Sequence, residues 1–266
     1  MQDILALATE ITEWENNVRY AASLAARLRG VLTGSYIMPP QLAEYDFVPP
    51  ALAAEITAVC REQTEMALSA AKPFAQWAAA RGVGATAWRV AEGALIEVMA
   101  AAANWHDLIV LERNRVVSWM LAGQLLLNVD IPCIIVPPGR DEAKLDTIAI
   151  AWDASVPCVR ALHAALPLLK QASRVLLIDG APLARPAEAS EHIDDYLARH
   201  GLHATRLRID PGSRNAGDAI LAAASNAFAD LLVMGAYGHN RFSEWVFGGA
   251  TRHALERAEI PVLMRH

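Results

Sequence analysis

The chain predicts an α/β protein built from two tandem Rossmann-like domains, each a five-stranded parallel sheet flanked by helices. Three features carry that expectation. Short apolar runs of four to six residues alternate with longer helical patterns, the signature of βαβ units. The same landmarks recur in the same order in both halves. Apolar residues fill 54% of the 266 positions, with alanine dominant, as expected when helices with small faces pack closely on a buried sheet.

The repeat is read from three matches. Ile131-Pro132-Cys133-Ile134-Ile135-Val136 answers to Ile260-Pro261-Val262-Leu263-Met264. Asp3-Ile4-Leu5-Ala6-Leu7-Ala8-Thr9 answers to Thr147-Ile148-Ala149-Ile150-Ala151-Trp152-Asp153. Trp105-His106-Asp107-Leu108-Ile109-Val110-Leu111 answers to Phe228-Ala229-Asp230-Leu231-Leu232-Val233-Met234. Recurrence of such landmarks in the same order marks a tandem duplication.

In half one, a strand from Ile4 to Ala8 leads to a helix from about Trp14 to Leu28, with Val18, Ala21, Ala22, Leu24, Ala25 and Leu28 on one face. A strand from Val31 to Ile37 runs into a loop holding Pro39-Pro40 and Pro49-Pro50. A long alanine-rich helix from Ala51 to about Arg81 follows, with Pro73 as its expected breaking point. A strand from Thr86 to Val90, a helix from Ala94 to Asn104, a strand from Leu108 to Leu111, a helix from Val117 to Leu127 and a strand at Ile131 complete the half. The polar stretch from Pro137 to Lys144 reads as the linker, so the expected domains are 1–138 and 145–266. Half two repeats the order: strand Thr147 to Trp152, helix Val156 to Gln171, strand Arg174 to Ile178, helix Ala189 to His200, strand Ala204 to Ile209, helix Ala216 to Asn226, strand Leu231 to Met234, a loop, a helix from Ala250 and a last strand. The terminal strands would lie at sheet edges, open to pairing between the halves or between chains, so a homodimer through these edges is one expectation.

A net charge of −6 speaks against a general nucleic-acid surface or a polybasic membrane patch, and points to a small partner. Cys60, Cys133 and Cys158 are odd in number, far apart and form no C-x-x-C, which suggests neither a disulfide framework nor a thiolate metal site. Met1-Gln2-Asp3 enters an apolar strand without the basic start of a signal peptide, and no run of about 20 uncharged apolar residues occurs. A soluble cytoplasmic protein is expected, without a membrane or nucleic-acid partner.

The halves differ where chemistry is expected. From Asp107 to Ile131 is 24 steps, and from Asp230 to Ile260 is 30. The six extra residues fall in a loop after Leu231-Leu232-Val233-Met234 that reads Gly235-Ala236-Tyr237-Gly238, nine further residues, then Gly248-Gly249 and a helix. Glycines at the carboxyl end of a strand allow close approach of the backbone and φ > 0, and the next helix offers unpaired N–H groups to an anion. That pattern suits a phosphate cradle; the same local spacing also suits an ordinary tight turn. It is neither Gly-x-Gly-x-x-Gly nor a P-loop. In half one Leu111-Glu112-Arg113-Asn114-Arg115 stands in this place, and Glu112 would put a carboxylate where phosphates would lie. Half one is therefore not expected to bind a nucleotide in this way. Strand one of half two ends in Asp153, where half one has Thr9. Ligands of doubly wound sheets sit beyond the carboxyl ends of the strands, so Asp153 and the glycine loop would meet in one crevice. Asp153 could accept hydrogen bonds from an adenine amino group or ribose hydroxyls. Its other reading is the N-cap of the next helix.

With its strand ending in Asp, its Pro-Val-Leu closing strand and its Gly-x-x-Gly, nine residues, Gly loop, half two resembles a universal stress protein domain. Since the landmarks recur in half one, the whole chain resembles a tandem universal stress protein with the adenine nucleotide alpha hydrolase-like fold. The resemblance implies ATP or a related adenine nucleotide, with Mg²⁺. Adenosine would lie at Ala151, Trp152 and Asp153 and near Ile178 and Gly180, and the phosphates at Met234, Gly235, Tyr237, Gly238, Gly248, Gly249, Ala250 and Thr251. It departs from the family at Gly249, where a hydroxyl residue follows the third glycine; Thr251 is the substitute oxygen. Trp152 is bulky enough to stack on adenine or to fill its place. Arg241, Arg252 and His253 could offset phosphate charge, since guanidinium forks match phosphate oxygens. His239 and Tyr237 could flank the ligand.

Other constellations carry less. His200 and His203 straddle a helix end at Gly201 and lack a third ligand. Asp194 and Asp195 are adjacent, so on a helix they face different directions. No H-E-x-x-H or Gly-x-Ser-x-Gly occurs. Trp14, Trp77, Trp88, Trp105, Trp119, Trp152 and Trp245 form no stripe for stacking bases. Three readings result: a nucleotide-dependent regulator in stress response that is not an enzyme, an interaction and dimerisation scaffold with a vestigial pocket, or a slow ATP-cleaving enzyme.

Overall fold

The expected alternation of strands and helices is present in the computed structural model, which describes residues 1–39, 49–114, 116–179, 188–209, 216–238 and 249–266. Half one supplies β1 (Asp3–Ala8), α1 (Asn16–Leu28), β2 (Val31–Met38), α2 (Pro50–Ser69), α3 (Ala71–Ala79), β3 (Ala85–Glu92), α4 (Leu95–Ala103), β4 (Leu108–Glu112), α5 (Trp119–Asn128) and β5 (Cys133–Val136). Half two supplies β6 (Thr147–Trp152), α6 (Val156–Leu169), β7 (Arg174–Asp179), α7 (Glu188–Arg199), β8 (Ala204–Arg208), α8 (Ala216–Asn226), β9 (Leu231–Gly235), α9 (Gly249–Arg257) and β10 (Val262–Arg265).

These strands form one ten-stranded sheet in the order β3-β2-β1-β4-β5-β10-β9-β6-β7-β8. Each half is parallel within itself, and the halves join where β10 runs antiparallel to β5, pairing Val262 with Ile135, Leu263 with Ile134 and Met264 with Cys133. Of the two pairings expected for the terminal edge strands, between the halves or between chains, the one between the halves is present. Those two edges satisfy each other's backbone groups within the chain, leaving β3 and β8 at the outer edges.

Both faces of the sheet are covered, which is why its strands read as unbroken apolar runs. On one face Ile4, Val110, Ile134, Ile148, Ile150 and Leu263 meet α1 and α6 through Val18, Ala21, Leu24, Ala161, Leu162 and Ala165. On the other, Leu5, Ile109, Leu232, Met234 and Val262 meet α4, α5 and α9 through Met99, Leu125, Leu126, Ala254 and Leu255. Small residues on the buried stripes bring the helices close, as the alanine content implied. Among the described residues no helix is long and apolar enough to cross a membrane.

Three boundaries differ from expectation for physical reasons. The long helix breaks at Ala70, before Pro73, because a proline denies a hydrogen bond to the carbonyl four residues earlier, that of Ser69, so the chain restarts with Pro73 in the first turn of α3. Strands β5 and β10 begin at Cys133 and Val262, just past Pro132 and Pro261, which have no N–H to give the ladder. The linker is less exposed than its polarity suggested: Ala143 and Leu145 are fully buried, and the Ala143 N–H donates to Ser23 Oγ on α1 at 3.1 Å.

Candidate functional site

Strands β6 and β9 are neighbours, and the chain leaves them in opposite directions along the sheet, which opens a crevice beyond their carboxyl ends. Asp153 follows β6 directly. Its Oδ1 accepts the Ser155 N–H at 2.9 Å across a turn in which Ala154 has φ 56°. Ser155 is the residue that caps α6: its Oγ accepts the Cys158 N–H at 3.3 Å. The capping alternative for Asp153 is thereby filled by Ser155.

The glycine loop comes down onto this turn. A Cβ on Gly238 would lie 2.6 Å from Ser155 Oγ and 3.3 Å from Asp153 Oδ2, so only glycine lets the loop close over Asp153. Gly235 has a different reason. A Cβ there would collide with the backbone of Pro157 and Cys158, so this glycine admits the first turn of α6 against the end of β9. Neither glycine has positive φ; the left-handed residue of the loop is Tyr237, at φ 58°. Among the described residues four non-glycine positions lie in that region: Arg29 and Phe228 follow helix ends, while Ala154 and Tyr237 flank the crevice. Left-handed backbone is costly for residues with a Cβ and collects at sites whose surroundings over-determine it.

Of the remaining expected residues, Ala151, Ile178 and Met234 are buried at strand ends. Trp152 is 9% exposed and belongs to the core on the α1 and α6 face; its Nε1–H is buried and has no hydrogen-bond partner among the described residues. Tyr237 lies across the seam between the halves, its hydroxyl against Gly123 of α5 and its ring 6.1 Å from that of His266, and burial raises its phenol to about 12. The backbone of Tyr237 shapes the loop while its side chain faces the seam. Thr251 is also absorbed: buried at 4% exposure, its Oγ1 accepts the Tyr237 N–H at 3.1 Å and fastens the loop to α9. Gly249 opens α9 and Ala250 follows it. Gly180 and Gly248, with His239, Arg241 and Trp245, lie outside the described residues.

Two of the three expected basic residues, Arg252 and His253, are engaged elsewhere. Arg252 pairs with Glu256 at 3.0 Å and lies over the Trp119 ring, and His253 meets Asp218 at 3.4 Å. Cys158 lies beneath the crevice with its thiol donating to the Ala151 carbonyl at 3.2 Å, and burial raises it to about 12, far from a reactive thiolate. Among the described residues, no three His, Cys, Asp or Glu side chains come together as a metal site.

The sequence profile of the universal stress protein family matches residues 144–266, the segment that builds this crevice. Residues 144–266 belong to the universal stress protein family. A curated relative, universal stress protein Slr1230 of Synechocystis, is 24% identical over 182 residues, covering 64% of this chain and 62% of the relative, so under two thirds of that protein is represented. Among solved structures, a universal stress protein from Archaeoglobus fulgidus aligns with a TM-score of 0.74 at 16% identity, covering 98% of this chain and 95% of that one. PA1789 of Pseudomonas aeruginosa PAO1, a protein of unknown function, aligns at 0.56 and 16% identity, covering 100% and 92%. At these identities the structures establish the fold, and the fold extends over both halves.

Within this universal stress protein fold the crevice of half one is closed from inside. Glu112, at the position of Gly235, is 8% exposed; its carboxylate accepts the Asn16 N–H at 3.1 Å and Asn16 Nδ2 at 2.8 Å, sealing the N-terminus of α1 with an internal anion. Glu15 Oε1 accepts the Thr9 N–H, the Thr9 hydroxyl and the Glu10 N–H at 2.5–2.7 Å, stitching shut the turn that corresponds to Asp153. Arg113, which replaces Ala236, reaches into half two and donates to the carbonyls of Leu255 and Ala258 at 3.3 and 3.0 Å, at the C-terminus of α9. Arg113 and Gly123 had no signal in the sequence; both serve contacts that exist only once β5 and β10 pair.

Proposed function

We propose that residues 145–266 form a domain that binds an adenine nucleotide of ATP type, and that residues 1–138 form a second domain which has given up this activity. The protein then acts as a nucleotide-dependent regulator in stress response, its bound and free states differing in shape or association. One observation carries the reading: the missing Cβ of Gly238 is what allows the loop to close onto Asp153, a carboxylate outside the capping role. Asp153 would accept hydrogen bonds from the nucleoside, and the loop backbone with the first turn of α9 would hold the phosphates. With Arg252 and His253 already paired, Mg²⁺ is the natural counter-charge for the phosphates. Loss of a hydroxyl at Gly249, together with the inward turn of Thr251, leaves the cradle largely to backbone N–H groups. Binding without turnover is the activity this reading expects.

The test is calorimetric titration of Mg·ATP into the full chain and into Asp153→Asn, which keeps an oxygen for the Ser155 N–H and removes the charge. Micromolar binding at one site per chain, weakened about tenfold or more in the variant, supports a nucleotide site in half two. If nucleotide-free parent shows no heat of binding at millimolar Mg·ATP, the proposal is wrong and the glycine loop serves the fold alone.

A further inference from the structure

Helix α9 and residues 236–238 before it are held from the other half of the molecule as well as by α8 of their own half. At its C-terminal end, the Arg113 guanidinium donates to the Leu255 and Ala258 carbonyls, and Arg140 Nε donates to the neighbouring Glu259 carbonyl at 3.1 Å. On its flank, Trp119 of α5 lies under the Arg252 guanidinium, 4.9 Å from ring centroid to Cζ. At its N-terminal end, Thr251 takes the N–H of Tyr237, and the Tyr237 side chain crosses the seam to Gly123. A Cβ on Gly123 would collide with the Tyr237 hydroxyl, while the rest of the ring and Leu255 Cδ1 would stay at ordinary contact distances of 3.6 and 3.7 Å. The left-handed backbone of Tyr237 is therefore held from two sides, by α9 and by α5.

We propose that half one, having lost its own loop, is the platform that sets the ligand loop of half two, with Gly123 and Arg113 as positioning residues for a site neither of them touches. This rests on the crevice of half two being the nucleotide site. A chain of three contacts carries the effect: α5 fixes the Tyr237 ring, the ring fixes the backbone between Gly235 and Gly238, whose Ala236 and Tyr237 N–H groups are taken by the Arg265 carbonyl and Thr251 Oγ1, and that backbone sets Gly238 over Asp153. Arg113 holds the same helix at its far end, so α9 cannot slide along α5 without breaking two charge-assisted hydrogen bonds. Half two alone would have a looser loop and bind more weakly than the full chain.

The decisive experiment is a suppressor cycle in the full-length protein: Gly123→Ala, Tyr237→Phe and the double variant, each titrated with Mg·ATP, with amide exchange of the Tyr237 N–H followed in the absence of ligand. Gly123→Ala is expected to weaken binding about tenfold and speed Tyr237 exchange by a similar factor, because an added methyl in a packed contact must displace the ring. The collision is with the hydroxyl, so removing it in the double variant should return both quantities to within about twofold of Tyr237→Phe alone. Arg113→Met, which adds no bulk, should weaken binding about threefold with faster exchange. The idea is overturned if Gly123→Ala matches the parent in both measurements, or if its defect persists undiminished in the double variant. Should no protein in the series bind Mg·ATP, the nucleotide reading fails by itself, and the exchange rates still decide whether half one sets the loop.

Discussion

Replacing Glu112 by alanine isolates the device that closes half one. The carboxylate is buried and meets two donors of one residue, the Asn16 N–H in the first turn of α1 and Asn16 Nδ2. Truncation leaves those donors facing a cavity. Hydrogen bonds to a charged acceptor contribute about 1.5–3 kcal/mol, and a carboxylate at a helix N-terminus adds about 0.3–1 kcal/mol. With partial relaxation or entry of a water molecule, a net loss of about 2–4 kcal/mol is expected. Glu112→Gln keeps one acceptor oxygen but turns an NH₂ toward Asn16 Nδ2, so about 1–2 kcal/mol should be lost. Urea unfolding followed in parallel by far-ultraviolet circular dichroism and tryptophan fluorescence measures both, with the slope m confirming that the same transition is observed. The order alanine, glutamine, parent in rising stability is the required result. If both variants lie within about 0.5 kcal/mol of the parent, the carboxylate is not sealing α1 and the proposal that half one has given up nucleotide binding loses its support.

Two more outcomes follow from contacts already described. Gly235→Ala should destabilise the protein by about 2 kcal/mol or more whether or not nucleotide is present, since its Cβ meets the backbone of α6 and not a ligand; a melting point equal to the parent's would contradict that packing. Burial raises Cys133, Cys158 and Tyr237 to about 12 in the folded state. Their contribution is fully present below the unfolded thiol value near 9 and is lost as pH rises toward 12, because over that window the unfolded chain has already released protons the folded chain retains. Stability should therefore fall steadily from about pH 9 upward, and Cys158→Ala should flatten part of that slope; a parent whose unfolding free energy is level between pH 9 and 11 would show that these groups are solvated.

What could be read from the residues alone was whatever depends on neighbours in sequence. Apolar runs located the strands, and the missing segment between Asp107 and Ile131 located the difference between the halves. Chain order in a doubly wound sheet was enough to bring Asp153 and Gly238 together. The purpose of individual residues was less legible, because one residue type serves several ends. A glycine after a strand is spelled the same whether it admits a phosphate or, as at Gly235, a helix. The side chain of Thr251 could have faced the crevice, but the loop's own N–H takes it. Trp152 was placed at the crevice by its position, and the alternation of β6 sends its ring to the core. Arg252 and His253 were near the loop in sequence and are paired along and between helices. Tyr237, Gly123 and Arg113 were beyond reach of any local pattern, since the seam that unites them is a pairing of strands 129 residues apart in chain position, Cys133 and Val262 marking their starts.

That antiparallel seam has a consequence for how the two halves could diverge. Two separate chains meeting through such an edge would part on dilution and exchange subunits, and every substitution would appear on both sides of the interface at once. Joined through Ala143 and Leu145, the halves meet at a local concentration that dilution cannot lower. A change on one side is then free of its mirror image. Glu112 can plug one crevice while Gly238 lies over Asp153 in the other, and Gly123 can make room for Tyr237 without a second copy of either. Covalent linkage lets the two sides of a pseudo-symmetric assembly carry different residues at matching positions.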